Sequence, residues 1–193
     1  MQTTAEIIFQ EYISMDENIK YKNINMNTRY LKIAIVVASF FALGFFSGKA
    51  QGFDENGEAF CLAKNIYFEA GNQPLAGKVA VAQVVKNRVE SRDFPDTYCG
   101  VIYDVKQWRT SWRGNQVPVL GQCQFSWFCD GKSDEPKDSK TWIESYQIAN
   151  NFMMAPTWDL TEGALWYHAD YIYPYWAEHL NETVKINNHI FYR

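Results

Sequence analysis

Sixteen consecutive residues without a charge, Ile33 to Gly48 (IAIVVASFFALGFFSG), divide this chain into two parts of different character. As a helix the run would reach roughly 24 Å at 1.5 Å per residue, a little less than the ~30 Å hydrocarbon core of a bilayer. Lys32 and Lys49 flank it, and long cationic side chains extend such a span by reaching to the interface. Residues 1–32 carry four basic and four acidic side chains, yet from Asn18 onward only basic ones remain: Lys20, Lys22, Arg29 and Lys32. That asymmetry predicts a cytoplasmic segment 1–32 and export of everything after the run. Residues 33–48 read either as an uncleaved signal anchor or as the apolar region of a signal peptide cut after Gly48-Lys49-Ala50. Thirty-two preceding residues are long for a signal peptide and favour the transmembrane anchor, whereas Met26 opens a segment of ordinary signal-peptide proportions. A buried soluble helix is the bland alternative. Either form of export puts the folded part on the membrane facing the periplasm or wall, or outside the cell.

The cysteines agree with export. All four, Cys61, Cys99, Cys123 and Cys129, lie beyond the apolar run, and none has the C-x-x-C spacing of a structural zinc site. An even count in an exported domain implies two disulfide bonds. Of the three pairings, Cys61–Cys99 with Cys123–Cys129 is the expected one; buried free thiols are the alternative. A net charge of -4 without a basic block makes nucleic acid a poor partner.

Residues 49–57 form a short polar linker, leaving 58–193 as one domain. Ala59, Leu62, Ala63, Ile66, Tyr67 and Ala70 follow helical spacing, predicting a helix from Glu58 to Ala70 stopped by Gly71 and Asn72. Pro74 suits the first turn of a second helix over Leu75–Arg92, with Val81, Val84, Val85 and Val89 on its buried face. Residues 93–138 are rich in Pro, Gly, Asp and Ser and read as loops and brief strands, with CQFSWFC as one strand of a hairpin. Thr141 and Glu144 form a capping box for a third helix, with Trp142, Tyr146, Ala149 and Met153 on one face and Pro156 at its end. ALWYHA and HIFYR read as two short strands. The sum is an α+β domain, mostly helical, with a small antiparallel sheet.

Four ordered blocks, YFEAGNQPLAGKVAVAQVVKNRV, CQFSWFCDG, ALWYHADYIYPYWA and HIFYR, resemble the cell-wall hydrolase family that includes the spore-cortex-lytic enzymes. The resemblance covers about residues 58–193. It implies a lysozyme-related, lytic-transglycosylase-like fold, peptidoglycan glycan strands as partner, no cofactor or metal, and a catalytic glutamate at Glu69. The family block often continues with a charged residue and a second glutamate; here Asn72 and Gln73 stand instead, leaving Glu69 as the only carboxylate of that block.

The residues support that chemistry independently. Cleaving a glycosidic bond requires a proton for the leaving oxygen. A carboxyl beside Tyr67 and Phe68, at a helix C-terminus, has its charged form disfavoured and keeps its proton closer to neutral pH. A helix-end glutamate that only reaches for water is the structural alternative. Candidate second carboxylates are Glu162, Asp130 and Asp170. A lytic transglycosylase avoids the need for one, because Glu69 acts first as acid and then as base; muramidase-type hydrolysis is the competing outcome. Phe125, Ser126, Tyr167, His168 and Trp176 are the expected substrate-binding residues, although aromatic side chains of this kind equally serve as core. Other readings are a metal-dependent wall amidase using His168, His179, His189 and Asp170, a Cys–His nucleophile, and a non-catalytic peptidoglycan-binding module. A bacterial remodelling enzyme and a membrane-held phage endolysin would share the same chemistry.

Overall fold

A computed structural model of the chain describes residues 54, 55, 57–154 and 158–193. Residues 1–32, expected to be cytoplasmic, the apolar run 33–48, most of the linker and Pro156 lie outside the described residues. Among the described residues no helix is long and apolar enough to cross a membrane.

Helix α1 spans Glu58–Ala70, as its apolar spacing predicts, and buries Leu62, Ala63, Ile66 and Ala70. The Glu58 carboxylate in its first turn accepts hydrogen bonds from the backbone N–H groups of Tyr98 and Cys99, fixing a short helix α2 at Tyr98–Ile102 in space before it is reached in sequence. Gly71 ends α1 for a reason other than a left-handed turn. Its backbone stays right-handed, but a Cβ there would collide with the Tyr67 carbonyl and sit 3.1 Å from Thr141 Cγ2.

The next helix in the chain, Leu75–Glu90, is here called the central helix. Val79, Ala80, Val81, Ala82, Val84 and Val85 are all inaccessible to solvent, so it is buried around most of its circumference rather than on the one valine face expected. Its small alanines let α1, α2 and helix α3 (Ser139–Met154) close around it. Gly77 admits the turn at Asn187, where a Cβ would lie 3.0 Å from Asn187 Oδ1.

Two expectations for α3 change. Asp138 caps it, its Oδ1 accepting the Thr141 N–H at 2.7 Å, while Glu144 forms an ion pair at 2.9 Å with the buried Lys78 of the central helix. Thr141 and Glu144 therefore make no capping box. The buried face is Ser145, Ile148, Ala149 and Phe152, and Met153 is exposed.

Residues 103–130 hold a two-stranded ribbon, β1 (Trp108–Thr110) with β2 (Gln116–Pro118). The QFSWFC stretch is not a strand: Ser126–Cys129 is a 3-10 turn, drawn in by the Cys123–Cys129 disulfide. The second sheet is antiparallel in the order β3-β5-β4, with β3 at Trp166–Ala169, β4 at Glu182–Ile186 and β5 at His189–Tyr192. β3 and β5 fall where expected. β4 has no counterpart among the expected strands, although Val184 and Ile186 alternate with exposed neighbours and Asn187-Asn188 is a turn signal. Asn87 of the central helix holds the approach to β3, donating to Asp159, Thr161 and the Ala164 carbonyl.

The cysteines pair as expected, Cys61 with Cys99 and Cys123 with Cys129. Their loops differ in length, 38 residues against 6. Loop-closure entropy predicts that Cys61→Ala/Cys99→Ala costs about 4 kcal/mol of stability and Cys123→Ala/Cys129→Ala about 2 kcal/mol. Denaturant midpoints of the two double variants check that order; equal losses, or the reverse order, contradict it.

Candidate active site

Glu69 occupies the last turn of α1 and points into a cleft of about 470 Å3, within the size range of ligand sites. The end of α1 and Asn72-Gln73 form one side, Thr141 of α3 another, and Ala169, Tyr171, Asn188 and His189 the third. Among the described residues lining the cleft, Glu69 is the only carboxylate.

Tyr167 in β3 donates its hydroxyl to Glu69 Oε2 at 3.0 Å. Burial pushes the Glu69 carboxyl above its ordinary range, and the Tyr167 hydrogen bond and the charge of Arg88 partly oppose that rise. Burial, followed by the neighbouring carboxylate, holds the Tyr167 phenol well above its usual range, so it remains a donor. Arg88 lies inside the central helix's packing, only 4% exposed. Its Nε donates to the Leu165 carbonyl at 2.8 Å and its guanidinium stands 5.2 Å from the rings of both Phe94 and Phe125. Among the described residues its Nη1 has no hydrogen-bond partner. A fixed positive charge of this kind stabilises a carboxylate once its proton has left.

The wall behind Glu69 is aromatic. Phe68 stacks on Trp127 at 4.7 Å, and the Trp127 indole N–H donates to Asn65 Oδ1 at 3.1 Å on the preceding turn of α1. Tyr67 accepts the N–H groups of Lys137 and Asp138, both at 3.0 Å, and so positions the start of α3. His189 meets the Tyr167 ring edge-on at 5.2 Å; burial lowers its basicity, and its Nδ1 has no hydrogen-bond partner among the described residues.

Of the expected substrate contacts, Tyr167 alone meets Glu69. Successive residues of a strand face opposite sides, and His168 lies on the far face of β3. There its Nδ1–H donates to the Ala169 carbonyl and its Nε2 accepts from the Tyr192 hydroxyl at 3.0 Å. Trp176 packs edge-on against His168 and Tyr192. Phe125 is buried beside Arg88, and Ser126 is exposed at the start of the 3-10 turn, away from the cleft lining. None of the candidate second carboxylates lines the cleft. Asp130 pairs with Lys132, Asp170 with Lys185, and Glu162 is exposed in a left-handed turn. Among the described residues no group of three or more His, Cys, Asp or Glu side chains is placed to hold a metal ion, which leaves the amidase reading without a ligand set there. Sequence reasoning missed Arg88, because Lys78 and Lys86 share the same helix and no local feature sets Arg88 apart from them.

A family model described as Cell Wall Hydrolase matches residues 72–192, beginning just past Glu69. The spore cortex-lytic enzyme of Oceanobacillus iheyensis is 44% identical over 54 residues, 28% of this chain and 19% of that protein. The enzyme of the same name from Bacillus subtilis strain 168 is 42% identical over 53 residues, 28% of this chain and 17% of that one. The matched stretch thus spans about a fifth of the length of these relatives. Two solved structures are also similar. The catalytic domain of the Bacillus cereus SleB protein has 25% identity over 76% of this chain and 99% of that one, with a TM-score of 0.46. The catalytic domain of the germination-specific lytic transglycosylase SleB from Bacillus anthracis has 26% identity over 75% and 100%, with a TM-score of 0.48.

A carboxyl with a raised pKa costs stability wherever it is ionised, and the cost disappears once pH falls below its unfolded value. Glu69→Gln is therefore expected to raise the melting temperature at pH 7, with the gain shrinking toward pH 4. Thermal melts of both proteins across that range check this; a destabilised variant at pH 7 contradicts the desolvation of Glu69.

Proposed function

This chain belongs to the cell wall hydrolase family, and from that premise we propose that it cleaves peptidoglycan glycan strands between N-acetylmuramic acid and N-acetylglucosamine by lytic transglycosylation. The proposal includes the lysozyme-like fold that the sequence resemblance implies, and export to the wall by way of residues 33–48. The name of the curated relatives, spore cortex-lytic enzyme, supports a wall substrate.

One observation carries the mechanism: a single carboxyl, with burial raising its pKa, stands on the cleft wall with one oxygen held by Tyr167 and a buried cation nearby. Protonated Glu69 delivers its hydrogen to the oxygen bridging the two sugars as the bond from that oxygen to the muramic anomeric carbon breaks. Positive charge developing on the sugar ring is met by the new carboxylate. Tyr167 and Arg88 stabilise that carboxylate during its brief existence. It then takes the proton from the muramic 6-hydroxyl as O6 bonds to the anomeric carbon. The product is a 1,6-anhydro end, and Glu69 regains its proton without water entering the balance. The absence of a second carboxylate among the described cleft residues favours this route over hydrolysis, which uses a carboxylate pair.

Glu69→Gln should lose clearing of purified peptidoglycan by about 10²-fold or more while still binding it. Mass spectrometry of digests should find muramic ends lighter by one water. Undiminished clearing by the variant sinks the assignment of Glu69, and full-mass ends sink the transglycosylase outcome. The pH dependence provides a separate check. Activity requires the protonated carboxyl, so kcat/KM falls as pH rises through the Glu69 pKa. Tyr167→Phe removes a hydrogen bond that lowers this pKa and should move the alkaline limb to higher pH, with kcat reduced. A shift toward lower pH contradicts the role given to Tyr167.

A further inference from the structure

Wall glycan strands are far longer than a cleft of about 470 Å3 can hold, so most of a bound strand lies on the surface beyond it. The ribbon β1–β2 has the composition for that contact. Between Asp104 and Asp130 the chain carries Lys106, Arg109 and Arg113 and no acidic residue, although its overall net charge is -4. Trp112, at the ribbon's turn, is 88% exposed and Trp108 is 47% exposed. The Arg113 guanidinium lies 4.6 Å from the centre of the Trp112 ring. A tryptophan this exposed buries little apolar surface and adds little to folding, and a two-stranded ribbon gains its stability from what it packs against.

What the ribbon packs against leads to the cleft. Trp108 meets Phe128, Phe128 meets Trp127, and Trp127 stacks on Phe68, which lines the cleft beside Glu69. Ring separations of 6.4, 6.0 and 4.7 Å along this path keep Trp108 within about 17 Å of Phe68. A strand of a few sugars crosses that distance.

We propose that the ribbon Trp108–Pro118 is a second binding surface for the acidic peptidoglycan strand outside the cleft. Sugar faces stack on Trp112, and the carboxylates of the stem peptides pair with Lys106, Arg109 and Arg113. This assignment rests on the glycan-cleaving function proposed above. The ring path passes through the buried Trp127 and so measures distance only; a cationic, aromatic surface within about 17 Å of the cleft favours a polymer already held there over an anionic bilayer as the occupant. Exposed cations make the contact salt-sensitive.

The test uses the full chain with Trp112→Ala and Arg113→Ala, co-sedimented with purified insoluble peptidoglycan at low and high salt. Binding should weaken about tenfold at low salt, with turnover of short soluble glycan fragments unchanged. Arg109→Ser alone should flatten the salt dependence. Thermal melts matching the parent protein establish that both variants fold. Undiminished sedimentation overturns the proposal, as does an equal loss of activity on short fragments. So does loss of binding to phosphatidylglycerol vesicles with sedimentation on peptidoglycan intact, which would make the ribbon a lipid-facing element. The cleavage reading fails separately, through an active Glu69→Gln, and sedimentation then decides the role of the ribbon alone.

Discussion

One hydrogen bond, 3.0 Å from the Tyr167 hydroxyl to Glu69 Oε2, joins the helical layer to the sheet across 98 residues of chain. Neither partner reaches the other without a rigid support. Glu69 is carried by α1, whose preceding turn is fixed from behind by Trp127 on Asn65 and Phe68. Tyr167 is carried by β3, which is registered against β5 with Tyr167 opposite Phe191. The central helix sets the distance between these supports. Asn87 grips the segment leading into β3, and Arg88 grips the Leu165 carbonyl immediately before it.

The electrostatic character of the site follows from the same construction. Burial alone would make Glu69 a reluctant proton donor, and the phenol and guanidinium alone would leave it ionised, a weak base with no proton to give. Their opposition leaves burial the largest influence, with Tyr167 and then Arg88 against it. The acid-then-base role proposed for Glu69 needs its two forms to be comparable in free energy. The environment is built from both tendencies, where a purely apolar pocket would supply only one.

Much of this was legible in the chain itself. The bounds of α1 and the positions of β3 and β5 follow from apolar periodicity, which packing then obeys. The prominence of Glu69 followed from its place among aromatics at a helix end. What escaped was tertiary in origin. The QFSWFC block contains the alternation of a strand, but a six-residue disulfide loop and the demand of Phe68 for a stacking partner turn it into a 3-10 turn. His168 shares a motif with Tyr167, yet the pleat of β3 sends the two side chains to opposite faces, and only register decides which meets the cleft. Asp138 outcompetes Thr141 as the cap of α3 because the helix begins three residues earlier than the S/T-x-x-E pattern suggested. The cleft wall from Asn188 and His189 depends on the β4–β5 turn, whose first strand is so short that its alternation covers only Val184 to Ile186.

The burial of the central helix has a consequence for how such a chain diversifies. Residues Val79 to Val85 have no free side, and enlarging any of them displaces neighbours on several elements at once. Variation in what the protein recognises is therefore channelled into segments that can change without moving this axle: the ribbon, the loop after β3 and the β4–β5 turn.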